Sequence, residues 1–314
     1  MPWISGLPPV AQQRVDRQRS SRLAGSLLSV GAAVAARSAG FRPIGEVMGC
    51  TVMHIGWGGY QCGGYGRSSG IFGGGYGPVP VIVSGDPGPG GGPQPYGLAP
   101  QAAAYNQGWD SSLNRMLIEA QALGADGVVG VQLSQQVLDG NNHEFLAIGT
   151  AVGDGNPLTP AADRWPFCTE LGGQDLANLA TAGWLPTGIS IGLSIALRHD
   201  DYGTLAARSS WSNQEITGYT ELLAASRADA RRQLWNRARR VGGEHVVVSS
   251  MWTTSFERTV SDGHTDHGAH STFIGTALRR AEPGDLPDEP RAAPRQGLTI
   301  MPLTAAPPAT RGRR

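Results

Sequence analysis

Residues 122–131 read Ala-Leu-Gly-Ala-Asp-Gly-Val-Val-Gly-Val and mark a change from helix to strand. Gly124 is suited to end a helix in a left-handed turn, and the apolar run Val128–Leu133 is suited to a buried strand. Asp110 or Ser111 is a plausible N-cap for the helix. Apolar residues follow that cap at helical spacing: Leu113, Met116, Leu117, Ala120 and Leu123.

Two further strands complete the first half of the chain. The stretch Pro43–Ile55 mixes apolar residues with glycine and predicts a strand upstream of the long helix. Turn residues at 139–142, Asp-Gly-Asn-Asn, join Val128–Leu133 to a second apolar run, Phe145–Val152. With a short leading helix over 23–37, this half is predicted as strand–helix–strand–strand.

The same signals return later in the chain in the same order. Such a long period predicts two tandem domains of one fold and not a solenoid. The matching stretches are 39–49 with 182–192, 123–129 with 241–247, and 148–151 with 274–277.

The second half therefore has its own set of predicted elements. A leading helix is expected over 174–182, a first strand over Gly188–Leu197 and a closing hairpin from Val246–Thr254 and Ser271–Leu278. The long helix is expected over Gly218–Val241. Its predicted apolar face comprises Leu234, Trp235, Ala238 and Val241.

Composition sets the remaining domain boundaries. The predicted first domain spans 23–152 and contains a Gly-, Pro- and Tyr-rich insertion over 57–101, whose composition is too poor in apolar residues to form a core. Within it, Pro78–Val83 is suited to one short strand. A linker is expected at 153–163, and the second domain at 164–280. Residues 1–22 are predicted to be a flexible N-terminus and 281–314 a disordered tail.

The N-terminal region also resembles a targeting signal. Four arginines precede an apolar run within 14–36, as in a secretory signal. Because the equivalent place in the second half holds an amphipathic internal segment, a packed helix explains both. The run is too short for a transmembrane helix, which needs about 20 apolar residues. We therefore expect no transmembrane segment and a cytoplasmic protein with reduced thiols.

The motifs resemble those of the YbjQ-like heavy-metal-binding domain family. The resemblance rests on Phe41-x-Pro43-x-Gly45-x-x-x-Gly49, on the string at 122–131 and on Gly149-Thr150-Ala151. It implies an α+β fold of two tandem β-α-β-β domains, dodecin/YbjQ-like, each a small antiparallel sheet covered by one long helix. It also implies ring-forming oligomers, so we expect a homo-oligomer. The family carries no fixed Cys/His motif that can be matched here.

A histidine-rich segment is the first candidate metal site. Three imidazoles and two carboxylates within nine residues suit a divalent transition metal such as Zn, Ni or Cu. The alternative is a polar hairpin tip, because the segment lies where the first half has its turn. The candidate ligands are Asp262, His264, Asp266, His267 and His270.

A second candidate metal site combines Cys50, His54 and Cys62. Cys50 and His54 lie four residues apart on a predicted strand and so face the same side, and Cys62 would fold back from the insertion. The alternative is a buried cysteine acting as a small apolar residue.

Charge bears on possible partners. The chain has 25 basic and 25 acidic residues, and this balance argues against a nucleic-acid-binding protein. The helix segment 227–240 is rich in arginine, which would fit an anionic partner, although a solvated helix face gives the same pattern.

These observations predict a non-enzymatic, oligomer-forming protein that binds metal ions or a small ligand. The alternative is a structural or interaction scaffold without a ligand, in which the Gly/Tyr-rich loop and the tail recruit partners. Paired carboxylates for acid–base catalysis are scarce. The glycines after His54 lack the Lys-Ser/Thr of a phosphate-binding loop.

Overall fold

The computed structural model describes residues 7–20, 25–56, 81–85, 98–153, 165–260 and 264–282. This part of the chain is α+β, with six helices and two four-stranded sheets. In chain order the elements are α1 (Pro9–Ser20), α2 (Val30–Ser38), β1 (Arg42–His54), β2 (Ile82–Val83), α3 (Leu98–Ala122), β3 (Gly127–Asp139), β4 (Asn142–Gly153), β5 (Phe167–Cys168), α4 (Gly173–Thr181), β6 (Trp184–His199), α5 (Tyr202–Arg208), α6 (Thr217–Arg240), β7 (His245–Val260) and β8 (His264–Arg280).

The two sheets share the arrangement of three of their four strands, and the fourth strand lies beside β3 in the first sheet and beside β6 in the second. The first has the order β1-β4-β3-β5, and the second has the order β2-β6-β8-β7. In each, a first strand pairs antiparallel with the last strand of a hairpin, and the long helix connects that first strand to the hairpin. The predicted order strand–helix–strand–strand is confirmed for both halves.

Local irregularities recur at matching positions. Each first strand has a register shift just after a proline, at Pro43 and at Pro186. The turn that ends each long helix contains a glycine with positive φ, 76° at both Gly124 and Gly242. Only glycine adopts this conformation without a steric cost.

Each long helix crosses its first strand at a glycine. A Cβ on Gly49 would lie 1.9 Å from the Ser112 carbonyl oxygen, and a Cβ on Gly192 would lie 2.0 Å from the Ala230 carbonyl oxygen. No side chain fits at such distances, so helix and strand meet backbone to backbone. These glycines are equivalent in the two repeated stretches.

The Gly-Thr-Ala stretches fix the segment before each short helix. Thr150 Oγ1 accepts a hydrogen bond from the Leu27 amide at 3.0 Å, just before α2. Thr276 Oγ1 lies 2.9 Å from Thr169 Oγ1, just before α4. Both threonines are fully buried, so the motif serves the tertiary structure.

The layers stack in the order first sheet, α3, second sheet and α6. Alternate residues of β6, from Ile189 to Leu197, join the hydrophobic core that contains Val47, Trp109 and Phe145 of the first half. The intervening residues of β6 face α6, where the Ser190 hydroxyl donates to the Leu234 carbonyl at 2.7 Å. The two halves therefore share one core.

The N-terminus differs from the predicted flexible segment over 1–22. Residues Pro9–Ser20 form α1. Its Val15 is buried against Ile118 of α3 and against Leu123 in the turn that follows α3. Arg14 forms an ion pair with Glu119, which is buried in α3. The short leading helix predicted over 23–37 is Val30–Ser38.

The insertion also differs from its prediction. Helix α3 begins at Leu98 and not at Asp110 or Ser111, so the insertion does not reach residue 101. Pro100 lies in the first helical turn, where proline is tolerated, and residues 102–104 are three alanines, the best helix formers.

One strand of the insertion is confirmed, but it pairs with the other half. Ile82–Val83 forms β2 beside Leu197 and Ala196 of β6, in the second sheet. Residues 57–80 and 86–97 of the predicted insertion lie outside the described residues. So do 154–163 of the predicted linker and 283–314 of the predicted tail.

The elements of the second half are longer than predicted. Strand β7 continues to Val260, and β8 already begins at His264. Regular antiparallel pairing of the two strands continues where a polar loop was expected. The predicted apolar face of α6 is correct for Leu234 and Ala238. It is wrong for Trp235 and Val241, which are 38% and 44% exposed.

No helix in the described ranges is long and apolar enough to cross a membrane.

Alanine at either crossing glycine should destabilise the fold. For Gly49→Ala and Gly192→Ala we expect a loss of at least about 2 kcal/mol in the free energy of unfolding, because the added carbon meets helix backbone that cannot move alone. Chemical denaturation measures this loss. Gly203→Ala is the control, since its Cβ would come no closer than 3.5 Å to Asp201. Equal stability of Gly192→Ala and the control would contradict the backbone contact.

Candidate functional site

A cavity of about 440 Å³ lies where α3 meets the second sheet. We call it the junction cavity. Its floor is formed by neighbouring residues of three strands, because Ile195 on β6 and Thr254 on β7 both pair with His270 on β8. Its other wall carries Gln101 and Tyr105, one turn apart on α3. The cavity therefore needs both halves of the chain.

Aromatic rings form part of the cavity wall, where Tyr105, Phe256 and His270 lie beside polar and charged side chains. The Tyr105 ring is tilted against the His270 ring at 4.8 Å and lies edge-on to the His143 ring at 5.3 Å, between ring centroids. His143 belongs to the first half and His270 to the second. Tyr105 itself is only 8% exposed, so the phenol ring is fixed between two imidazoles.

Burial makes both imidazoles poor proton acceptors. Burial, together with the nearby His143, lowers the pKa of His270 to about 4. Burial also lowers the pKa of His143 and raises the pKa of the Tyr105 hydroxyl. At neutral pH His270 is therefore uncharged.

The next two residue rows extend the same face of the sheet. The Phe256 ring covers Gly268, where a Cβ would lie 2.1 Å from a ring carbon. Beyond it, Asp266 pairs in register with His199 and Arg258. The His199 Nδ1 atom lies 2.9 Å from an Asp266 carboxylate oxygen.

Gln101 places a buried, unsatisfied acceptor in the cavity lining. It is 9% exposed, and its Oε1 atom accepts no hydrogen bond among the described residues. A buried acceptor without a partner destabilises a protein by about 1–3 kcal/mol, so this oxygen is available to a bound molecule.

The opposite face of the same strands carries a second cavity, of about 420 Å³, against α6. We call it the helix cavity. His267 lines it, and its Nε2 atom lies 2.9 Å from Asp200 Oδ2 and 2.8 Å from the Tyr219 hydroxyl. Arg208 approaches the same nitrogen at 3.1 Å.

The structure does not bring the predicted histidine-rich ligands together. His267 and His270 are three residues apart on one strand and face opposite sides of the sheet. Asp266 shares the His270 face but bonds to His199. Asp262 and the side chain of His264 lie outside the described residues. The prediction of a flexible turn folding around one ion does not hold for Asp266, His267 and His270.

The second predicted metal site also fails on geometry. Cys50 and His54 face the same side of β1, but four residues of strand span about 13 Å. His54 Nδ1 lies 3.0 Å from the Asn142 side-chain oxygen, and the Cys50 thiol donates to Glu144 at 3.2 Å. Burial and Glu144 raise the pKa of Cys50 to about 11, which disfavours a thiolate ligand. Cys62 lies outside the described residues.

Metal ligands are sparse in the rest of the described chain. Across residues 7–20, 25–56, 81–85, 98–153, 165–260 and 264–282, no three His, Cys, Asp or Glu side chains cluster as for a metal ion. The described residues therefore provide no complete three-ligand metal site by themselves.

The arginines of 227–240 are partly used inside the chain. Arg237 donates to Asn106 and forms an ion pair with Asp110 of α3. Arg232 pairs with Asp229 at 2.5 Å. These contacts link α6 to α3 and to its own Asp229. Arg232 and Arg237 already have partners within the chain, so fewer arginines of 227–240 remain for an anionic partner.

Residues 188–192 read Gly-Ile-Ser-Ile-Gly and match the Gly-x-Ser-x-Gly pattern of hydrolase nucleophiles. The pattern belongs at a turn between a strand and a helix, whereas Ser190 lies inside β6. Ser190 is 1% exposed, and its hydroxyl is bonded to the Leu234 carbonyl. It therefore cannot reach a substrate.

Sequence reasoning singled out His270 as a candidate site residue but missed most of the other residues that line the junction cavity. Gln101 and Tyr105 fall in or beside the predicted insertion. The sequence signal that could have found them is helical spacing. Four residues at that spacing are buried on one side of α3: Gln101, Ala102, Tyr105 and Trp109. Phe256 and Arg258 were missed because β7 was predicted to end at Thr254.

The fold and the cavity define an α+β protein in which helix-covered antiparallel sheets of two halves enclose one site. Comparison with known proteins narrows this class. A family described as "Putative heavy-metal-binding" (YbjQ_1) matches residues 101–154, which cover most of α3 together with β3 and β4. A "UPF0145 protein" of Halorubrum lacusprofundi is 46% identical over 43 residues, 14% of this chain and 41% of that protein.

A longer relative matches almost the whole chain. The "Encapsulin nanocompartment protein Rv1762c" of Mycobacterium tuberculosis is 29% identical over 287 residues, 90% of this chain and 94% of that protein. No solved structure matches. Residues 101–154 are thus similar to the YbjQ-like family, and the chain is similar to the mycobacterial protein over most of the length of both.

Protonation of His270 should weaken the fold in acid. The folded-state pKa of about 4 lies below the ordinary 6.5, so between these values the unfolded chain binds the extra proton. The contribution of uncharged His270 to the free energy of unfolding is complete above pH 6.5 and is lost as the pH falls towards 4. Replacing His270 by glutamine should flatten the stability–pH curve in that window by about 1 kcal/mol per pH unit.

Denaturant unfolding at several pH values measures that slope. The control is Ile195→Val, which alters packing in the same cavity without a titratable group and should shift the curve equally at every pH. An unchanged slope in His270→Gln would contradict the buried, uncharged state.

Proposed function

We propose that the protein is a non-enzymatic binding protein that holds a small organic molecule in the junction cavity. The observation that carries this proposal is the cavity itself, with its aromatic wall and the unpaired Gln101 oxygen. Ligand sites are typically concave, mostly apolar and supplied with a few convergent polar groups. Among the described residues, Ser190 lies in a nucleophile motif, and its hydroxyl is committed to a structural hydrogen bond with the Leu234 carbonyl.

We also propose that the two halves are diverged copies of the YbjQ-like domain. The support is their common strand order, the crossing glycines 49 and 192, and the paired turns at 124 and 242. In this interpretation duplication created the site, because a single copy supplies only one wall of the cavity.

Self-association is the second part of the proposal. Strand β7 is the outer strand of its sheet, and edge strands are ready to pair with another chain. It exposes apolar side chains along its length: Val247, Val248, Met251 and Trp252. The relative named as a nanocompartment protein supports an assembly, as does the ring-forming tendency implied by the family resemblance. Copies of this chain would pair there, in the cytoplasm, where Cys50 and Cys168 stay free thiols.

A transition-metal ion is the second candidate ligand. Two observations favour it. The matching family is described as heavy-metal-binding, and His143 and His270, both with a lowered pKa, contact the same Tyr105 ring. Neutral imidazole nitrogen is a common ligand of Zn, Ni and Cu. Two such donors would need further ligands from the bound molecule or from solvent. The scaffold alternative, in which the assembly carries no ligand, predicts an empty cavity.

Native mass spectrometry of the protein purified from cells tests these alternatives together. We expect an assembly of several chains that retains a small organic mass, released on denaturation. Thr254→Trp should fill the junction cavity and remove that mass without changing the number of chains. Ser255→Trp is the matched control, because the neighbouring residue lines the helix cavity on the opposite face.

Each outcome of that measurement has one meaning. A retained mass equal to a metal ion, lost in His143→Gln, would replace the organic ligand by the metal candidate. Chains that carry nothing, even after incubation with a small-molecule extract of the cells, would support the scaffold and overturn the binding function. A mass that persists in Thr254→Trp but not in Ser255→Trp would move the site to the helix cavity.

A further inference from the structure

Building on the proposed function, we infer that the ligand of the junction cavity is a planar aromatic molecule that carries no positive charge and donates an N–H hydrogen bond to Gln101. Three independent features of the cavity lead to this class: the shape and chemistry of its walls, the position of an unpaired acceptor, and the distribution of charge.

The walls favour a flat ligand. Tyr105 on α3 and Phe256 on β7 line the cavity from different elements, and His270 lies between them on β8. Tyr105 and His270 are fixed by mutual ring packing at 4.8 Å, and Phe256 is fixed over Gly268. Aromatic side chains bury large apolar areas and prefer offset or edge-to-face contact with other rings. A planar ring system makes such contacts with all three.

Gln101 determines which polar group the ligand needs. Its Oε1 atom is buried, lines the cavity and accepts no hydrogen bond among the described residues. Tyr105 is four residues further on the same helix, so the oxygen and the phenol ring lie on one face. A ring N–H lying against Tyr105 would therefore meet an acceptor. A buried acceptor without a hydrogen bond raises the free energy of the complex. A ligand with this donor should therefore bind more tightly than one without it.

The charges around the cavity disfavour a cationic ligand. His270 is the titratable ring on the floor and is buried. Glu257 alternates to the other face of β7, where its carboxylate lies 3.6 Å from His267 and 3.7 Å from Arg208. On the cavity face, Asp266 is engaged by His199. Glu257 also borders the junction cavity, but its carboxylate is held by His267 and Arg208, and Arg258 in the cavity lining brings a positive charge. A ligand cation would therefore meet an arginine and no uncommitted carboxylate among the described lining residues.

Acridone and 10-methylacridone are a matched pair of probes. Both are planar, uncharged, fluorescent tricycles with the same carbonyl, but the methyl group removes the N–H donor. Fluorescence anisotropy of each probe with the full-length protein measures binding. We expect acridone to bind at least tenfold more tightly than its methyl derivative.

The Gln101→Leu variant tests whether that preference comes from the proposed acceptor. Leucine keeps the size of the side chain and removes the oxygen, so both probes should then bind equally. Gln132→Leu, on the exposed side of β3, is the control and should keep the tenfold preference. Equal binding of both probes by the unmodified protein, or a preference that survives Gln101→Leu, would overturn the hydrogen bond to Gln101.

The outcome is separable from that of the proposed function. If neither probe binds, yet protein from cells retains an organic mass that Thr254→Trp removes, the inferred ligand class is wrong and the binding cavity stands. If no such mass exists and neither probe binds, both fail together. Tight acridone binding that is lost in Thr254→Trp supports both.

Discussion

In each half of the molecule, a long helix touches the backbone of its first strand at a glycine. At Gly49 and Gly192 there is no room for one additional carbon between strand and helix carbonyl. This contact sets the distance and angle at which α3 and α6 lie on their sheets. It explains why glycine occurs within strands where it weakens pairing. The rest of the arrangement depends on these two crossings.

The position of α3 has a further consequence for the second half. Because α3 lies close to its own sheet, its other side packs against β6, and Ile189, Ile191 and Leu193 enter a core shared with the first half. The strand β6 is therefore covered on both faces, by α3 and by α6. A cavity remains where the N-terminal turns of α3, with Gln101 and Tyr105, face β6, β7 and β8.

Much of this fold is predictable from the sequence because the repeat supplies each signal twice. Three kinds of signal predicted the long helices and the strands in the correct order: the helix-ending glycines, the apolar strands after them and the Gly-Thr-Ala stretches. The burial of Val15 in α1 was not predictable, since its contacts with α3 join residues about a hundred positions apart. Neither was the pairing of β2 with β6, which depends on where the insertion crosses between the sheets.

The candidate site was harder to predict than the fold. Clusters of histidine in sequence, such as His267 and His270, were separated by strand alternation. Cys50 and His54 were separated by strand length. The residues that do converge, Gln101, Tyr105, His143 and His270, come from three elements of both halves, so only the tertiary structure brings them together.

A crystal structure of the protein purified from its natural source tests the central claim most directly, that two halves together form one ligand site. The account predicts electron density for a flat molecule between Tyr105 and Phe256, with a polar atom within hydrogen-bonding distance of Gln101 Oε1. A junction cavity filled by protein side chains, or one holding only water with Gln101 turned towards solvent, would contradict it.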